Sequence, residues 1–323
     1  MNPMNKNQKT FLFVLAIIVM VSLFLSIIYT VFTTQVASNK LKVVTSFYPI
    51  TYLTQQIGGD YIEITQLMPN NGEVHSWEPS ISHIMAAEDA NIIFYNGADA
   101  DHWMEENVLP VLSSTNNKNR VIVETTSNLT LITNIGQEHR EDQHKHELYD
   151  PHTWISPYMA KQQAEKIYNT LIIVDSQHEN YYTQKWNKLQ QQLEQLDGAY
   201  LNGLSNTNKN TIFVSHEAYG YLTNRYGFTQ HGAIGLSADQ QPSVTSISQL
   251  INELKEYQTH ILYFDPVYSD KYIQTIKYDL QTKTGQNVTI LKLYLMVGPI
   301  DDLDYIEQMQ TNLINLQTGL EAL

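Results

Sequence analysis

Seven large apolar side chains, Tyr182, Trp186, Leu189, Leu193, Leu196, Tyr200 and Leu204, recur at intervals of three or four through the middle of the chain. That spacing lays one apolar stripe along a helix. The residues between them are mostly Gln, Lys, Asn and Glu, so the remaining faces stay wet. A helix over 177–204 would run about 42 Å, and in mid-chain it reads as a rigid spine between two lobes.

On both sides of the spine, strands alternate with helices. Lys42–Phe47 is a β-branched run that stops at Tyr48-Pro49, as a buried strand does when the chain meets a proline. A helix is expected over Ile50–Ile57, closed by Gly58-Gly59, then a strand over Ile62–Leu67, a helix over Pro79–Ala87 and a strand over Ala90–Tyr95. After the spine the alternation restarts. Strands are expected at Asn210–Val214, His260–Phe264 and Val288–Leu293, and helices at Ser248–Tyr257, Asp270–Thr284 and Leu303–Leu316. Such alternation implies βαβ units and parallel sheets. The expected architecture is α/β: two Rossmann-like lobes joined by one long helix. Its divisions fall at 1–39 (signal or anchor segment), 40–174 (N-terminal lobe), 175–205 (spine) and 206–323 (C-terminal lobe).

Ligands of such sheets bind beyond the carboxyl ends of the strands, and histidines gather there. His216 follows the strand Asn210–Val214, and His75 follows the turn Pro69–Gly72. His152 stands in Asp150-Pro-His-Thr-Trp154, between turn and aromatic neighbours as His75 does in Val74-His-Ser-Trp-Glu-Pro79. Imidazole is the commonest side-chain ligand for a borderline metal such as zinc, so His75, His152 and His216 read as one metal site. Trp77 and Trp154 can wall it, and Asp150 and Glu78 can accept from the second ring nitrogen of a ligand histidine. His83, His102, His178, His231 and His260 lack such a setting. His139, His144 and His146 fall in the polar stretch 136–150, which reads as a surface loop.

The chain has no cysteine, so a metal site here is built from histidine and carboxylate. Asp and Glu outnumber Lys and Arg by 33 to 19, for a net charge of -14. That balance suits cations and argues against nucleic acid as a partner. His216-Glu217-Ala218-Tyr219-Gly220 starts like a zinc-protease helix, but Gly220 stands where its second histidine is needed. No Gly-x-Ser-x-Gly elbow and no phosphate loop occurs, so catalysis is not expected.

Ahead of the lobes, Lys6 and Lys9 precede an apolar run from Phe11 to Phe32. Its length approaches the roughly 20 residues that span a bilayer, and the lysines keep that end in the cytoplasm. A cleaved signal has a shorter apolar region and small residues at its end, and Val36-Ala37-Ser38 matches this poorly. The expectation is an uncleaved anchor with the lobes outside; the alternative is a cleaved, secreted form.

The chain resembles the zinc and manganese solute-binding proteins of ABC importers, the cluster 9 (TroA-like) class. The resemblance rests on Ser46-Phe-Tyr-Pro-Ile50, His75-Ser-Trp-Glu-Pro-Ser80, Tyr95-Asn-Gly-Ala98, Asp150-Pro-His-Thr-Trp-Ile-Ser-Pro157, Ser215-His-Glu-Ala-Tyr-Gly-Tyr-Leu222, Gly235-Leu-Ser237 and Pro242-Ser243, in the family's order. It implies a monomeric binding component that captures Zn2+ in the cleft between the lobes and delivers it to a membrane permease, with His75 and His152 as ligands from the first lobe and His216 from the second. Manganese-type relatives usually carry Glu at the His216 position, and nitrogen there favours zinc over manganese.

Two departures from the family stand out. Where many relatives place an acidic fourth ligand, the chain has Leu295-Met-Val-Gly298, with Val297 at the acidic position. Asp301, Asp302 or water is left to complete the shell. The cysteine that carries a lipid in Gram-positive relatives is also missing, and the apolar N-terminal helix can replace it. The rival readings are a manganese-binding homologue, a surface adhesin or metal-storage protein, and a three-histidine zinc hydrolase.

Overall fold

The computed structural model describes residues 5–37, 40–114, 119–133, 148–234, 243–268 and 270–323. It separates into two units, Met1–Leu41 and Lys42–Leu323. The first holds a single long helix, α1 (Lys6–Ala37). Thr10–Ile28 within it is 19 residues long and apolar enough to cross a membrane, and none of it is buried.

The second unit is α/β throughout. Its elements run β1 (Leu41–Thr45), α2 (Tyr48–Gly58), β2 (Ile62–Gln66), α3 (Ile81–Glu88), β3 (Ile92–Tyr95), α4 (Leu109–Ser113), β4 (Val121–Glu124), α5 (Pro157–Val174) and α6 (Glu179–Gly203). Then follow β5 (Thr211–His216), α7 (Gly220–Tyr226), β6 (Thr229–Ile234), α8 (Val244–Glu256), β7 (Ile261–Phe264), α9 (Lys271–Thr284), β8 (Thr289–Lys292) and α10 (Tyr305–Gly319). The strands form two four-stranded sheets, ordered β2-β1-β3-β4 and β6-β5-β7-β8. The ladders β1–β3, β3–β4, β5–β6, β5–β7 and β7–β8 are all parallel. Each lobe thus repeats one order, second-first-third-fourth, with its first strand inside and its chain switching direction there.

Parallel strands covered on both faces need continuous apolar runs. Val43, Val44, Ile92, Ile93 and Phe94 supply one such core, all buried. In the second sheet Phe213 and Leu262 pack with Leu250, Ile251 and Leu254 of α8 and Ile273, Ile276 and Leu280 of α9. The apolar stripe of α6 is buried along its length, at Tyr182, Trp186, Leu189, Leu193, Leu196 and Tyr200. This helix packs on α2 and α5 of the first lobe and on α10 of the second, and Tyr200 donates its hydroxyl to the Met309 carbonyl at 2.7 Å.

Three expectations shift. The spine starts at Glu179, after a short turn over Ser176–His178, and ends at Gly203. The strand expected to Phe47 ends at Thr45, and Tyr48-Pro49 opens α2 instead, with proline in the first turn, where its missing N–H costs nothing. The strands β4 and β6 and the helices α4, α5 and α7 have no counterpart in the expected pattern. Of the surface loop expected over 136–150, residues 136–147 lie outside the described residues, together with His139, His144 and His146; Gly235-Leu-Ser237 and Pro242 lie outside them as well.

Candidate metal site

The chain order of the lobes brings three distant segments together. His216 is the last residue of β5, the inner strand where its sheet switches direction. His75 lies in the loop between β2 and α3, and His152 just ahead of the turn Thr153–Ile155 that leads into α5. Each offers one ring nitrogen, and these atoms all lie within 4.8 Å of one another. The Nε2 atoms of His75 and His152 are 3.3 Å apart. Four ligands held tetrahedrally at about 2.05 Å from one zinc would be about 3.3–3.4 Å apart. The ring planes meet steeply, at 69° for His75–His152, 73° for His152–His216 and 88° for His75–His216. Nitrogens therefore converge on one point without the rings stacking. His152 and His216 are buried, and His75 is half-buried. Burial, followed by the neighbouring His152 and His216, holds the His75 imidazole well below the usual histidine range. It is the neutral form, with a lone pair free, that binds metal.

His152 is held from behind. The Asp150 carboxylate accepts the His152 backbone N–H at 3.0 Å and faces His152 Nδ1 at 2.9 Å. With Nδ1 so occupied, Nε2 points to the cluster. Asp150 is in turn packed by α7: a Cβ on Gly220 would stand 2.1 Å from its Oδ2. The Tyr221 hydroxyl donates to the Asp150 carbonyl at 2.8 Å. Trp154 is 1% exposed, and its ring sits 5.3 Å from that of His152 and 4.9 Å from Phe47.

The His75 loop is pinned to both lobes. Trp103 donates its indole N–H to the Val74 carbonyl at 3.2 Å. On the other side, the Asn71 N–H reaches the Val297 carbonyl at 3.0 Å and its side chain reaches Pro299 at 3.2 Å. Gly298 makes this approach feasible, since a Cβ there would stand 2.7 Å from the Asn71 nitrogen. Val297 itself is buried, and its carbonyl serves as part of a joint between the lobes.

The sequence therefore singled out the three histidines that the fold assembles, and Asp150 behind one of them. Glu78 is exposed, and it is Glu73 that accepts the His75 N–H, at 3.2 Å. Trp77 packs on Trp103 and His83 at 4.4 and 5.1 Å between centroids. Asp301 and Asp302 are not in the cluster; Asp301 is engaged by Lys292 and by the Tyr294 hydroxyl at 2.8 Å. Trp103 and Tyr221 are missed by the sequence reading because their contacts are with distant segments, and Glu73 because it acts on a backbone N–H two residues on, which leaves no side-chain pattern.

A family model described as "Zinc-uptake complex component A periplasmic" matches residues 43–319. The chain belongs to this family. It is 30% identical over 287 residues to the high-affinity zinc uptake system protein ZnuA of Bacillus subtilis, covering 87% of this chain and 88% of that one. It is 28% identical over 292 residues to the zinc-binding lipoprotein AdcA of Streptococcus pneumoniae, of whose length it spans only 55%. Among solved structures, the laminin-binding protein Lmb of Streptococcus agalactiae, described as having adhesin and metal-transporting activity, superposes with a TM-score of 0.72. That match has 28% identity and covers 87% of this chain and 99% of Lmb. The family consists of extracytoplasmic solute-binding components of zinc uptake and not of enzymes, which removes the hydrolase reading.

Proposed function

We propose that the protein captures Zn2+ between its lobes, on His75, His152 and His216, and presents it to an ABC permease in the membrane. In this reading residues 40–174 and 206–323 are the lobes, 175–205 the bridge between them, and α1 an uncleaved anchor. What carries the reading is the convergence of three imidazole nitrogens within 4.8 Å. A nitrogen-rich shell favours zinc over manganese in the divalent series. With Val297 turned to a structural task, water completes the tetrahedron, as in open three-histidine sites.

The test is metal analysis of protein purified without added metal, followed by competition between zinc and manganese. Zinc should be retained against equimolar manganese. His75→Ala, His152→Ala and His216→Ala should each weaken zinc by at least about tenfold, or roughly 1.4 kcal/mol, while His102→Ala leaves it unchanged. Near-native affinity in two of the three variants, or retention of manganese over zinc, would sink the assignment. The likeness to Lmb favours one second reading, a surface adhesin; binding of immobilised laminin by the metal-loaded protein tests it.

A further inference from the structure

Asn96 follows directly on β3, one of the two inner strands of the first sheet, in the segment Tyr95-Asn-Gly-Ala98. It is completely buried, and an amide is costly to bury unless it is bonded. Every polar position of this side chain is filled. Nδ2 donates to the Gly97 carbonyl at 2.8 Å and to the Pro151 carbonyl at 3.3 Å. Oδ1 accepts from the Thr153 hydroxyl at 3.2 Å and from Gln163 Nε2 at 2.9 Å. Carbonyls only accept, so a turned amide would set oxygen against oxygen twice, and its orientation is fixed.

Two of these four partners are the residues on either side of His152. The chain turns sharply there. The Thr153 N–H donates to the Pro151 carbonyl at 2.9 Å, and His152 has φ -82° and ψ 44°. That is an inverse γ-turn with His152 at its centre, and one amide grips both of its ends. The remaining bonds tie that amide to the body of the lobe. Gln163 of α5 also donates to the Thr125 hydroxyl at 2.9 Å, and the Asn96 N–H goes to the Asp101 carboxylate at 2.8 Å. The Asn96 carbonyl accepts the Thr126 hydroxyl at 2.7 Å. Asp150 aims the His152 ring, but it belongs to the same segment as His152. Asn96 comes from the sheet, so it can fix where the turn stands. Binding sites need their ligands held within about 0.5 Å of the working geometry.

We propose that Asn96 is the positioning residue of the His152 ligand: its amide clamps the turn over 151–153 to the end of β3 and so sets how tightly the site holds its cation. It gives no atom to the histidine cluster and acts only through the backbone of His152. The inference rests on the metal reading given above.

The experiment compares the native full chain in detergent with Asn96→Ala, Thr153→Val and Thr126→Val. Zinc affinity is read by chelator competition under conditions where each variant is folded, and the unfolding midpoint of the metal-free protein is read beside it. Asn96→Ala should weaken zinc about 10–100-fold, the range found for groups that orient a ligand. Thr153→Val cuts one strand of the clamp at nearly constant volume and should weaken zinc about threefold or more. Adding it to Asn96→Ala should cost nothing further, because both cut one link. Thr126→Val removes a bond from the same buried network without touching the turn, so it should lower the midpoint and leave zinc within about twofold. A loss under tenfold in Asn96→Ala, or an equal loss in Thr126→Val, overturns the clamp. Should Asn96→Ala fail to fold, Thr153→Val decides, and a loss under threefold there is fatal to it. Native protein that holds no zinc removes the metal reading and the clamp together, whereas tight zinc in every variant removes the clamp alone.

Discussion

At the scale of single residues, His152 depends on one carboxylate for its direction. Asp150 takes its Nδ1 side at 2.9 Å and leaves Nε2 for the cluster. Asp150→Asn keeps the volume but loses the charge and blurs the tautomer, since an amide can donate as well as accept. Zinc affinity should fall about 10–100-fold, the usual cost of such a partner, in a competition titration with far-UV dichroism unchanged. His75 makes a prediction about acid. Its folded pKa lies below the ordinary value, because burial and then His152 and His216 disfavour the imidazolium. As pH falls below about 6.5 the unfolded chain takes up a proton that the folded chain refuses, so stability falls with pH. The metal-free protein should lose up to about 1.4 kcal/mol per pH unit through this group, and His75→Gln should lose less. Equal slopes in urea midpoints between about pH 7 and pH 5.5 for the two proteins would count against it. The three clustered histidines and Asp150 were legible because each has turn or aromatic neighbours in its own segment. Trp103 and Tyr221 were not, for their partners Val74 and Asp150 are distant in sequence and come close only in the folded chain.

At the scale of elements, legibility followed burial. The spine α6 and the strands β3, β5 and β7 carry continuous or strictly spaced apolar residues, and their periodicity shows. β4 is short, with Val121 half-buried and Ile122 exposed at the edge of its sheet. β6 contains His231 and Gly232, neither a strand former, and is held by its ladder with β5. Tertiary pairing decided both. The helix expected at Leu303–Leu316 is observed at Tyr305–Gly319, with Asp304 as its N-cap: it accepts the Ile306 and Glu307 N–H groups at 2.9 and 3.0 Å, while Glu307 returns to the Asp304 N–H at 2.8 Å. The same aspartate receives the Tyr52 hydroxyl of α2 at 3.1 Å, linking the lobes. Asp304→Ala should therefore cost about 1–2 kcal/mol, cap and bond together, read as a lower denaturant midpoint. Asp304→Asn should keep most of that stability; a full loss in Asn would place the effect elsewhere.

For the molecule as a whole, two lobes of the same strand order are held by bonds that cross between them: Trp154 Nε1 to the Leu295 carbonyl at 2.8 Å, the Tyr305 hydroxyl to the Trp154 carbonyl, and Asn71 to Val297. The Leu295 end of that seam is fixed by buried Asp265, whose carboxyl accepts the Leu295 N–H and is pushed up to about 7 by burial. The anchor proposed above is α1, which lies outside the α/β unit. Thr10–Ile28 has the length and composition of a span, with Phe11, Phe13, Phe24 and Met20 each more than 60% exposed. Such a surface is stable in lipid and not in water. The chain has no cysteine to take a lipid, and Val36-Ala37-Ser38 is a poor cleavage context, which is why a retained helix is proposed over a cleaved signal. The mature protein should fractionate with membranes, and its intact mass should include residues 1–39. A dominant species beginning near Asn39 and found in the medium would replace the anchor with a cleaved signal. The three histidines would bind as before, but capture would then take place in free solution.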